Sequence, residues 1–243
     1  MTGRKQVLLV SDQEVLSSSL TQYSDYMKSA KKSSSKDGAA MVTRVGKKIA
    51  AATEQYLRNN GLESEIKNFA WEFNLVNDPQ VNAFCMPGGK IVVYEGLMQL
   101  VSSDDELAVV VGHEVAHAVA KHSNERMSQQ LMAQYGAQIL GQALSNKSAA
   151  VQKIGASVYG LGAQYGVMLP FSRKHESEAD YMGLVFMAMA GYNPAVAVNF
   201  WQKMSAGKSG STPEFMSTHP SDATRINEIK QHLPEIEKYR VKK

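Results

Sequence analysis

Apolar residues recur at steps of three and four residues in two segments near the N-terminus, which predicts helices over 11–30 and 39–58. The polar stretch KKSSSKDG between them predicts a linker. From 69 to 76, apolar and polar positions alternate as they do in a half-buried strand. The next segment, VNAFCMPGGKIVVYEG, predicts two short strands joined by a turn at Pro87, Gly88 and Gly89.

The second half of the chain has mainly helical periodicity. The sequence SDDE at 103–106 has the form of a capping box, so a helix is expected to begin there and to continue to Met127. Five further helices are predicted over 128–148, 149–169, 173–190, 194–205 and 220–231. The stretch 207–211 is expected to be a flexible loop. Together these elements predict an α+β fold that is mainly α.

Composition limits the possibilities further. A chain of 243 residues, 44% of them hydrophobic, can bury a core, and its length fits either one domain or a domain with a helical extension. The formal net charge is +3 and no basic face is clustered, which argues against a nucleic-acid partner. Cys85 is the single cysteine, which excludes an internal disulfide and a cysteine-based zinc cluster. We expect Cys85 to be a small buried residue.

Two segments bear on membrane association. The apolar run near the N-terminus has four residues, too few for the apolar core of an export signal or for a membrane span. The uncharged segment 154–171 contains Gly162 and Gly166 at the G-x-x-x-G spacing of packed membrane helices. Its glycine content and modest hydrophobicity favour a buried, closely packed helix over a span.

The clearest chemical signal is the sequence GHEVAHAVAKH at 112–122. Four residues of helix turn through about 400°, so His113 and His117 lie on one face and can bind one metal ion. Glu114 lies about 100° around the helix from His113, beside that metal. There it can act as a general base and take a proton from water whose pKa the metal lowers toward neutrality. The motif therefore predicts a hydrolytic zinc centre.

Two other interpretations fit this motif less well. Two core histidines bonded to backbone carbonyls would leave an ionisable Glu114 on an otherwise apolar helix, which is costly without a function. A di-iron bundle uses the E-x-x-H form of Glu114 and His117, but it needs that motif twice together with two more glutamates. No second E-x-x-H occurs in the chain.

A catalytic zinc needs a third protein ligand and an open position. The metzincin pattern H-E-x-x-H-x-x-G-x-x-H would place the third histidine ligand at position 123, which is a serine in this chain. The downstream candidates are His122, His175, Glu176, Glu178, Asp180, His219 and His232. In the cluster HESEADYMG, Glu176 and Asp180 share one face of an otherwise apolar helix. One can bind zinc while the other accepts a hydrogen bond from a ligating histidine, and periodicity does not decide which.

Four motifs follow one another along the chain: N-A-F-x-x-P-G-G, H-E-x-x-H, E-x-x-A-D and T-H-P. In these motifs the chain resembles the HtpX-type gluzincin metallopeptidases. That group includes the CAAX prenyl proteases, the mitochondrial inner-membrane quality-control peptidase and bacterial periplasmic chaperone-proteases. The resemblance covers residues 82 to about 225. It implies a zincin-like helical domain, here 61–243, with a small β-sheet or hairpin edging the active-site cleft. The N-terminal helices, residues 1–60, are expected to pack on that domain.

The resemblance also implies the ligands. His113, His117 and Glu176 would hold one zinc ion per chain, and Asp180 would orient a histidine. Glu178 then lies off the ligand face and is expected to be a surface carboxylate.

By the same resemblance, the strand containing Asn82, Ala83 and Phe84 forms the edge of the cleft. An exposed edge offers unpaired backbone groups, so an extended peptide could add to it as a further strand. An ordinary hairpin without a direct substrate role is the alternative.

Other polar residues have two interpretations each. His219 is either a surface or capping residue, or it lies at the zinc and assists the oxyanion or blocks the open coordination position. Arg225 either holds a carboxylate in the site or makes a structural salt bridge. His122 and His232 are expected to be structural or solvent-facing, and His175 is not expected to be a ligand.

The function predicted from these features is a zinc-dependent endopeptidase acting on unfolded or misassembled proteins, with Glu114 as the base. The alternative is a chaperone-like module that binds client proteins while His219 plugs a latent zinc site. The HtpX and CAAX branches carry transmembrane helices that are not evident here, so the chain is closer to the periplasmic branch. We expect a periplasmic or membrane-anchored protein whose export signal and N-terminal anchor are not part of this sequence.

Overall fold

A computed structural model of the chain describes residues 3–135, 172–206, 214–219 and 223–241. Helices dominate these residues and surround a small three-stranded sheet, so the predicted α+β, mainly α, class is confirmed. Several predictions lie outside the described residues: the helix 149–169, the uncharged segment 154–171, the loop 207–211 and the helix start at Pro220.

Two helices near the N-terminus follow the predicted periodicity. Helix α1 spans Asp12–Ser29 and helix α2 spans Lys36–Asn59, each within a few residues of the expected ends. The hydroxyl of Ser11 accepts from the Glu14 backbone amide, and the Glu14 carboxylate accepts from the Ser11 amide. This capping box fixes the start of α1. A one-turn helix, α3, follows at Glu63–Ile66.

The sheet contains three short strands, β1 at Glu72–Val76, β2 at Ala83–Met86 and β3 at Lys90–Tyr94. Strands β2 and β3 form the predicted antiparallel hairpin. Gly88 and Gly89 turn it with φ of 93° and 78°, which glycine adopts without strain. Strand β1 pairs with β3 in parallel, so the order is β1-β3-β2 and β2 lies at an edge.

The helix that carries the H-E-x-x-H motif is shorter than predicted. After the one-turn helix α4 at Glu95–Met98, helix α5 spans Asp104–Val119 and helix α6 spans His122–Tyr135. A continuous helix to Met127 is therefore wrong. Lys121, with φ of 58°, turns the chain between α5 and α6. Its ammonium group is held by two carboxylates, one from α1 and one from α3, which stabilises this turn.

The C-terminal half adds four helices among the described residues and a final 3-10 turn. They are α7 at Arg173–Met189, α8 at Val196–Ala206, α9 at Glu214–Thr218, α10 at Ala223–Ile236 and the turn at Glu237–Tyr239. Helix α10 continues past the predicted end at Gln231 and contains Pro234. Within the described part of the chain, no helix combines the length and apolarity needed to cross a membrane.

The two faces of the hairpin pack into two cores. Ala83 and Cys85 face the larger core with helices α2, α5, α7 and α8, and Cys85 is buried as expected. Phe84 and Met86 face the smaller core with α1 and α6. This alternation follows from the two-residue period of a strand. Because α2 packs against α5, β1 and α7, it contributes to the larger core. The division into units 1–60 and 61–243 stays a prediction.

Helices α5 and α7 pack closely against each other. Two glycines face one another at the crossing: a Cβ atom on Gly183 would lie 2.9 Å from the backbone nitrogen of His113, and one on Gly112 would lie 3.0 Å from the Gly183 carbonyl oxygen. The absence of side chains at both positions lets the two backbones approach. The fold thus brings the H-E-x-x-H helix face to face with the helix containing HESEAD.

Candidate metal centre

Two helices present the predicted residues to each other across their contact. Helix α5 carries His113, Glu114 and His117, and α7 carries Glu176 and Asp180. All five residues are buried, between 1% and 5% exposed. The Ser103 hydroxyl accepts from the Glu106 amide at the start of α5, and the Ser172 hydroxyl accepts from the His175 amide at the start of α7. Both helices therefore begin at fixed points.

His219, which follows α9, joins three of these residues in one cluster. The ligand atoms of His113, His117, Glu176 and His219 all lie within 4.8 Å of one another. Nε2 of His113 is 3.0 Å from Nε2 of His117, and the Glu176 oxygens lie 3.4 and 3.3 Å from these two atoms. Nδ1 of His219 lies 3.2 Å from His113 Nε2 and 3.0 Å from Glu176 Oε1.

This set of atoms fits a zinc ion. Two ligands of a tetrahedral zinc with bonds of about 2.0–2.1 Å are separated by about 3.3 Å, close to the measured spacings. Nδ1 of His113 lies 2.9 Å from the Asp180 carboxylate, which accepts hydrogen bonds, so that nitrogen carries the proton. When the ring is neutral, Nε2 of His113 then presents a lone pair toward other acceptor atoms. A cation among them removes this repulsion.

Arg225 on α10 binds both carboxylates of α7. Its Nε and Nη2 atoms lie 2.5 and 2.8 Å from the Asp180 oxygens, and Nη1 lies 2.9 Å from Glu176 Oε2. The guanidinium group also stacks 4.5 Å from the ring centre of Trp201, which in turn lies edge-on to His113 at 5.5 Å. The salt bridges of Arg225 are therefore also the contacts that hold the carboxylates of the site, so the two interpretations of this residue describe one arrangement.

The two carboxyl groups of α7 are held ionised. Burial alone would raise the pKa of Glu176, but electrostatic interactions with the neighbouring His219 and Arg225 outweigh it and hold the pKa well below the usual range. Burial opposes ionisation of Asp180 as well, and Arg225 outweighs it there and lowers the pKa. Two anionic groups are therefore available to a cation and to a histidine N–H.

The two histidines of α5 compete for a proton. Burial would lower the pKa of His113, but Glu176 and Asp180 together outweigh it and raise the pKa to about 9. Burial lowers the pKa of His117 well below its usual value. Since their Nε2 atoms are 3.0 Å apart, the pair holds one proton between them more readily than two.

Glu114 points to strand β2. Its carboxylate accepts a hydrogen bond from the backbone amide of Cys85, and Oε1 lies 3.3 Å from Nε2 of His219. Burial raises the pKa of Glu114. A carboxyl group with a raised pKa beside a cation site can accept and return a proton near neutral pH.

The predicted edge residues lie in strand β2 and just before it, on the strand whose Cys85 amide bonds to Glu114. Asn82, Ala83 and Phe84 are buried, between 3% and 7% exposed. The Asn82 side chain accepts from the Ala83 amide at 2.9 Å, and the Val81 carbonyl accepts from the Phe215 amide at 3.0 Å. The sheet edge is thus next to the candidate base.

Glu178 differs from expectation, whereas the buried His122 and His175 agree with structural, non-ligand roles. Glu178 is no surface carboxylate: its side chain is 9% exposed and lies 3.0 Å from His122 Nε2 and 2.6 Å from Arg4 Nε. Helix geometry places it off the ligand face, but α6 and the N-terminal segment cover that side. His122 is fully buried with Nδ1 2.9 Å from Nδ1 of His117. His175 stacks on His122, with ring centres 4.4 Å apart.

Sequence reasoning missed these contacts because no local signal marks them. Arg4 and Glu178 are 174 positions apart, so only the fold brings them together. His232, by contrast, lies edge-on to the Tyr181 ring at 5.0 Å, in keeping with a structural role.

Comparison with known proteins agrees with the motifs. The model of Peptidase family M48 matches residues 43–233. The mitochondrial metalloendopeptidase OMA1 of Schizosaccharomyces pombe is 36% identical over 205 residues, which cover 81% of this chain and 53% of that protein. OMA1 of Arabidopsis thaliana is 40% identical over 168 residues, 69% of this chain and 33% of that protein. The beta-barrel assembly-enhancing protease of Yersinia pestis is 33% identical over 174 residues, which cover 67% of this chain and 36% of that protein.

The chain spans about half or less of the length of these relatives. The family match nevertheless covers most of the chain, including both helices of the centre, α5 and α7. The resemblance inferred from the four ordered motifs is thereby confirmed. The chain belongs to peptidase family M48.

Proposed function

We propose that this chain is a zinc-dependent endopeptidase that cleaves unfolded or misassembled proteins. The observation that carries the proposal is the convergence of His113 Nε2, His117 Nε2 and the Glu176 carboxylate beside Glu114. Two histidines and one glutamate are a ligand set of hydrolytic zinc sites, which keep a further position open. Membership in a peptidase family supports proteolysis as the reaction.

The residues around the site suit peptide hydrolysis. Zinc, when bound, would polarise the scissile carbonyl group and lower the pKa of water. Glu114 takes a proton from the attacking water and passes it to the leaving amine. The raised pKa of its carboxyl group suits this double role. Asp180 accepts from Nδ1 of His113, and Arg225 holds Asp180 in place.

The substrate in this proposal is an extended chain that adds to the edge of β2 at Asn82, Ala83 and Phe84. Because Glu114 contacts the backbone of Cys85 on that strand, a peptide paired there would pass the base. One relative is named for enhancing β-barrel assembly, which supports misassembled proteins as substrates. The proposal also places the site on the periplasmic side of a membrane.

Metal content and cleavage of an unfolded protein, measured together, test this function. We expect one zinc per chain in the wild type and in Glu114→Gln, with cleavage abolished in Glu114→Gln. Glu176→Ala should lose zinc. Glu106→Gln, which changes a carboxyl group elsewhere on α5, serves as the control and should leave both unchanged. A zinc-free wild type, or cleavage that survives Glu114→Gln, would overturn the proposal.

The position of His219 favours a second candidate, a latent form that binds client proteins. Its Nδ1 atom is a fourth donor within 3.2 Å of His113 Nε2 and 3.0 Å of Glu176. Four protein donors are typical of closed zinc sites, which leave no position for substrate. Faster cleavage by His219→Ala would support a plug, and slower cleavage would support a role at the oxyanion.

A further inference from the structure

His117 has a second polar contact on the side away from the metal centre. Its Nε2 atom faces His113 and Glu176, whereas its Nδ1 atom lies 2.9 Å from Nδ1 of His122. His122 is the first residue of α6 and is fully buried. Its Nε2 atom lies 3.0 Å from Oε2 of Glu178. His122 therefore links a candidate metal ligand to a carboxylate.

The protons along this link follow from its two ends. Nε2 of His117 needs its lone pair to bind a metal, so Nδ1 carries the proton and donates it to His122. Nδ1 of His122 accepts, which places the proton of His122 on Nε2, where it is donated to Glu178. Each donor thus meets one acceptor, and the tautomer of His117 is set by the residue behind it.

The link ends at an arginine of the N-terminal segment. Nε of Arg4 donates to Glu178 at 2.6 Å, and its other two nitrogens donate to Glu125 at 2.8 and 2.7 Å. Gln6 donates to the Ala120 carbonyl at 2.6 Å. The Glu178 and Glu125 side chains are each 9% exposed, so these ion pairs are shielded from solvent. These hydrogen bonds hold the N-terminal segment at Arg4 and Gln6 against the junction of α5 and α6.

The other histidine of α5 has a comparable arrangement. Nδ1 of His113 donates to Asp180, and Asp180 is bound by Arg225. In both cases the histidine leads to a carboxylate of α7 that is held by an arginine from a distant part of the chain. For His117 one additional imidazole lies between the two.

We propose that His122, Glu178 and Arg4 form a positioning chain that fixes the tautomer and ring orientation of His117 for metal binding. This inference rests on the proposed zinc site. It assigns a part of the metal centre to the N-terminal segment, since Arg4 reaches His117 through two intervening side chains. Removing a partner behind a metal-bound histidine typically costs about 10- to 100-fold in metal affinity.

Two polar substitutions at His122 test the chain. In His122→Asn the amide oxygen takes the place of Nδ1 and still accepts from His117, whereas in His122→Gln the amide lies one carbon further out. Zinc affinity is measured by competition with a chelator, and the absorption spectrum of bound Co²⁺ reports ligand geometry. We expect His122→Gln to bind zinc about 100-fold more weakly with an altered Co²⁺ spectrum, and His122→Asn, which keeps the contact with His117 but loses the one with Glu178, to bind it about tenfold more weakly.

A second pair of variants tests the far end. Arg4→Gln removes the cation that holds Glu178 and should weaken zinc binding by about tenfold. Lys5→Gln changes the exposed neighbouring cation and should leave zinc affinity unchanged. Circular dichroism of the metal-free proteins checks folding. If the His122 variants do not fold, this pair decides the outcome.

The possible failures are distinguishable. Equal zinc affinity for the wild type and both His122 variants, or for Arg4→Gln and Lys5→Gln, would overturn the positioning chain and leave the zinc site intact. If the wild type shows no affinity for zinc, or if Glu176→Ala leaves the zinc affinity unchanged, the proposed function is overturned. The positioning chain is then overturned with it.

Discussion

Arg225 is a buried cation paired with two carboxylates, which would repel each other if it were removed. Arg225→Met should leave Asp180 and Glu176 without their shared partner in a buried site. We expect the metal-free protein to lose about 3–5 kcal/mol in free energy of unfolding, measured by urea denaturation. The control is Arg44→Met, whose ion pair with Asp104 is exposed, and its loss should stay below about 1 kcal/mol. Equal losses in the two variants would contradict the prediction.

Zinc binding should depend on pH through His113. In the metal-free protein its pKa is raised to about 9, so below that pH zinc must displace a proton. One released proton lowers the apparent affinity by about tenfold for each pH unit below 9. Competition titrations between pH 7 and 9.5 measure the slope. Asp180→Asn, which removes one of the groups that raise this pKa, should flatten the profile, and a flat wild-type profile would refute the prediction.

The same pKa shift affects the stability of the metal-free protein. A histidine whose folded pKa is raised from 6.5 to about 9 stabilises the fold fully below pH 6.5. That contribution is lost as the pH rises through 9.

At the residue scale, spacing was informative where the residues share one helix. The four-residue step of His113 and His117, and that of Glu176 and Asp180, places each pair on one face. Spacing carries no information on contacts between distant segments. The contact between Arg4 and α7 depends on the path of the whole chain.

At the element scale, the contact of α5 with α7 controls the geometry of the centre. In Gly183→Ala the new methyl group would lie 2.9 Å from the His113 nitrogen, so the helices must separate. We expect a loss of about 1–3 kcal/mol in free energy of unfolding together with weaker zinc binding. Alanine within a helix is otherwise stabilising by roughly 0.5–1 kcal/mol relative to glycine, so the predicted sign is opposite to intrinsic propensity.

A matched control for this variant lies on the same helix. Lys174→Ala substitutes an exposed position of α7 and should change neither stability nor zinc affinity appreciably. If Gly183→Ala behaves like Lys174→Ala in chelator competition and urea denaturation, the close approach is not what sets the site.

Elements with strong local signals were predicted from the sequence, and those set by tertiary contacts were not. The S-x-x-E sequence at 103–106 marks the start of α5 directly, and the hairpin glycines mark their turn. The break between α5 and α6 has no glycine or proline; the ion pairs that stabilise the turn at Lys121 come from α1 and α3, which are far away in the sequence. Likewise, periodicity along β1 shows which side chains share a face but does not reveal that the strand pairs in parallel with β3.

At the scale of the whole molecule, the candidate ligands come from three separate parts of the chain. Two lie on α5, one on α7, and His219 follows α9. Zinc should therefore stabilise the folded protein, by about 2.7 kcal/mol when free zinc is 100 times the dissociation constant. Urea denaturation with buffered zinc measures this. Glu114→Gln should keep the full effect and Glu176→Ala should lose most of it; no zinc effect in the wild type would contradict the prediction.

The packing of Trp201 has a practical consequence. The chain has two tryptophans. Trp201 is 1% exposed and lies between Arg225 and His113, whereas Trp71 is partly exposed, stacks on Phe69 and donates to Glu54 on α2. Arrival of a divalent cation changes the electric field across one indole and leaves the other as an internal reference. The protein thus carries its own fluorescent reporter, and the loading of its centre can be timed in a rapid-mixing instrument without any dye.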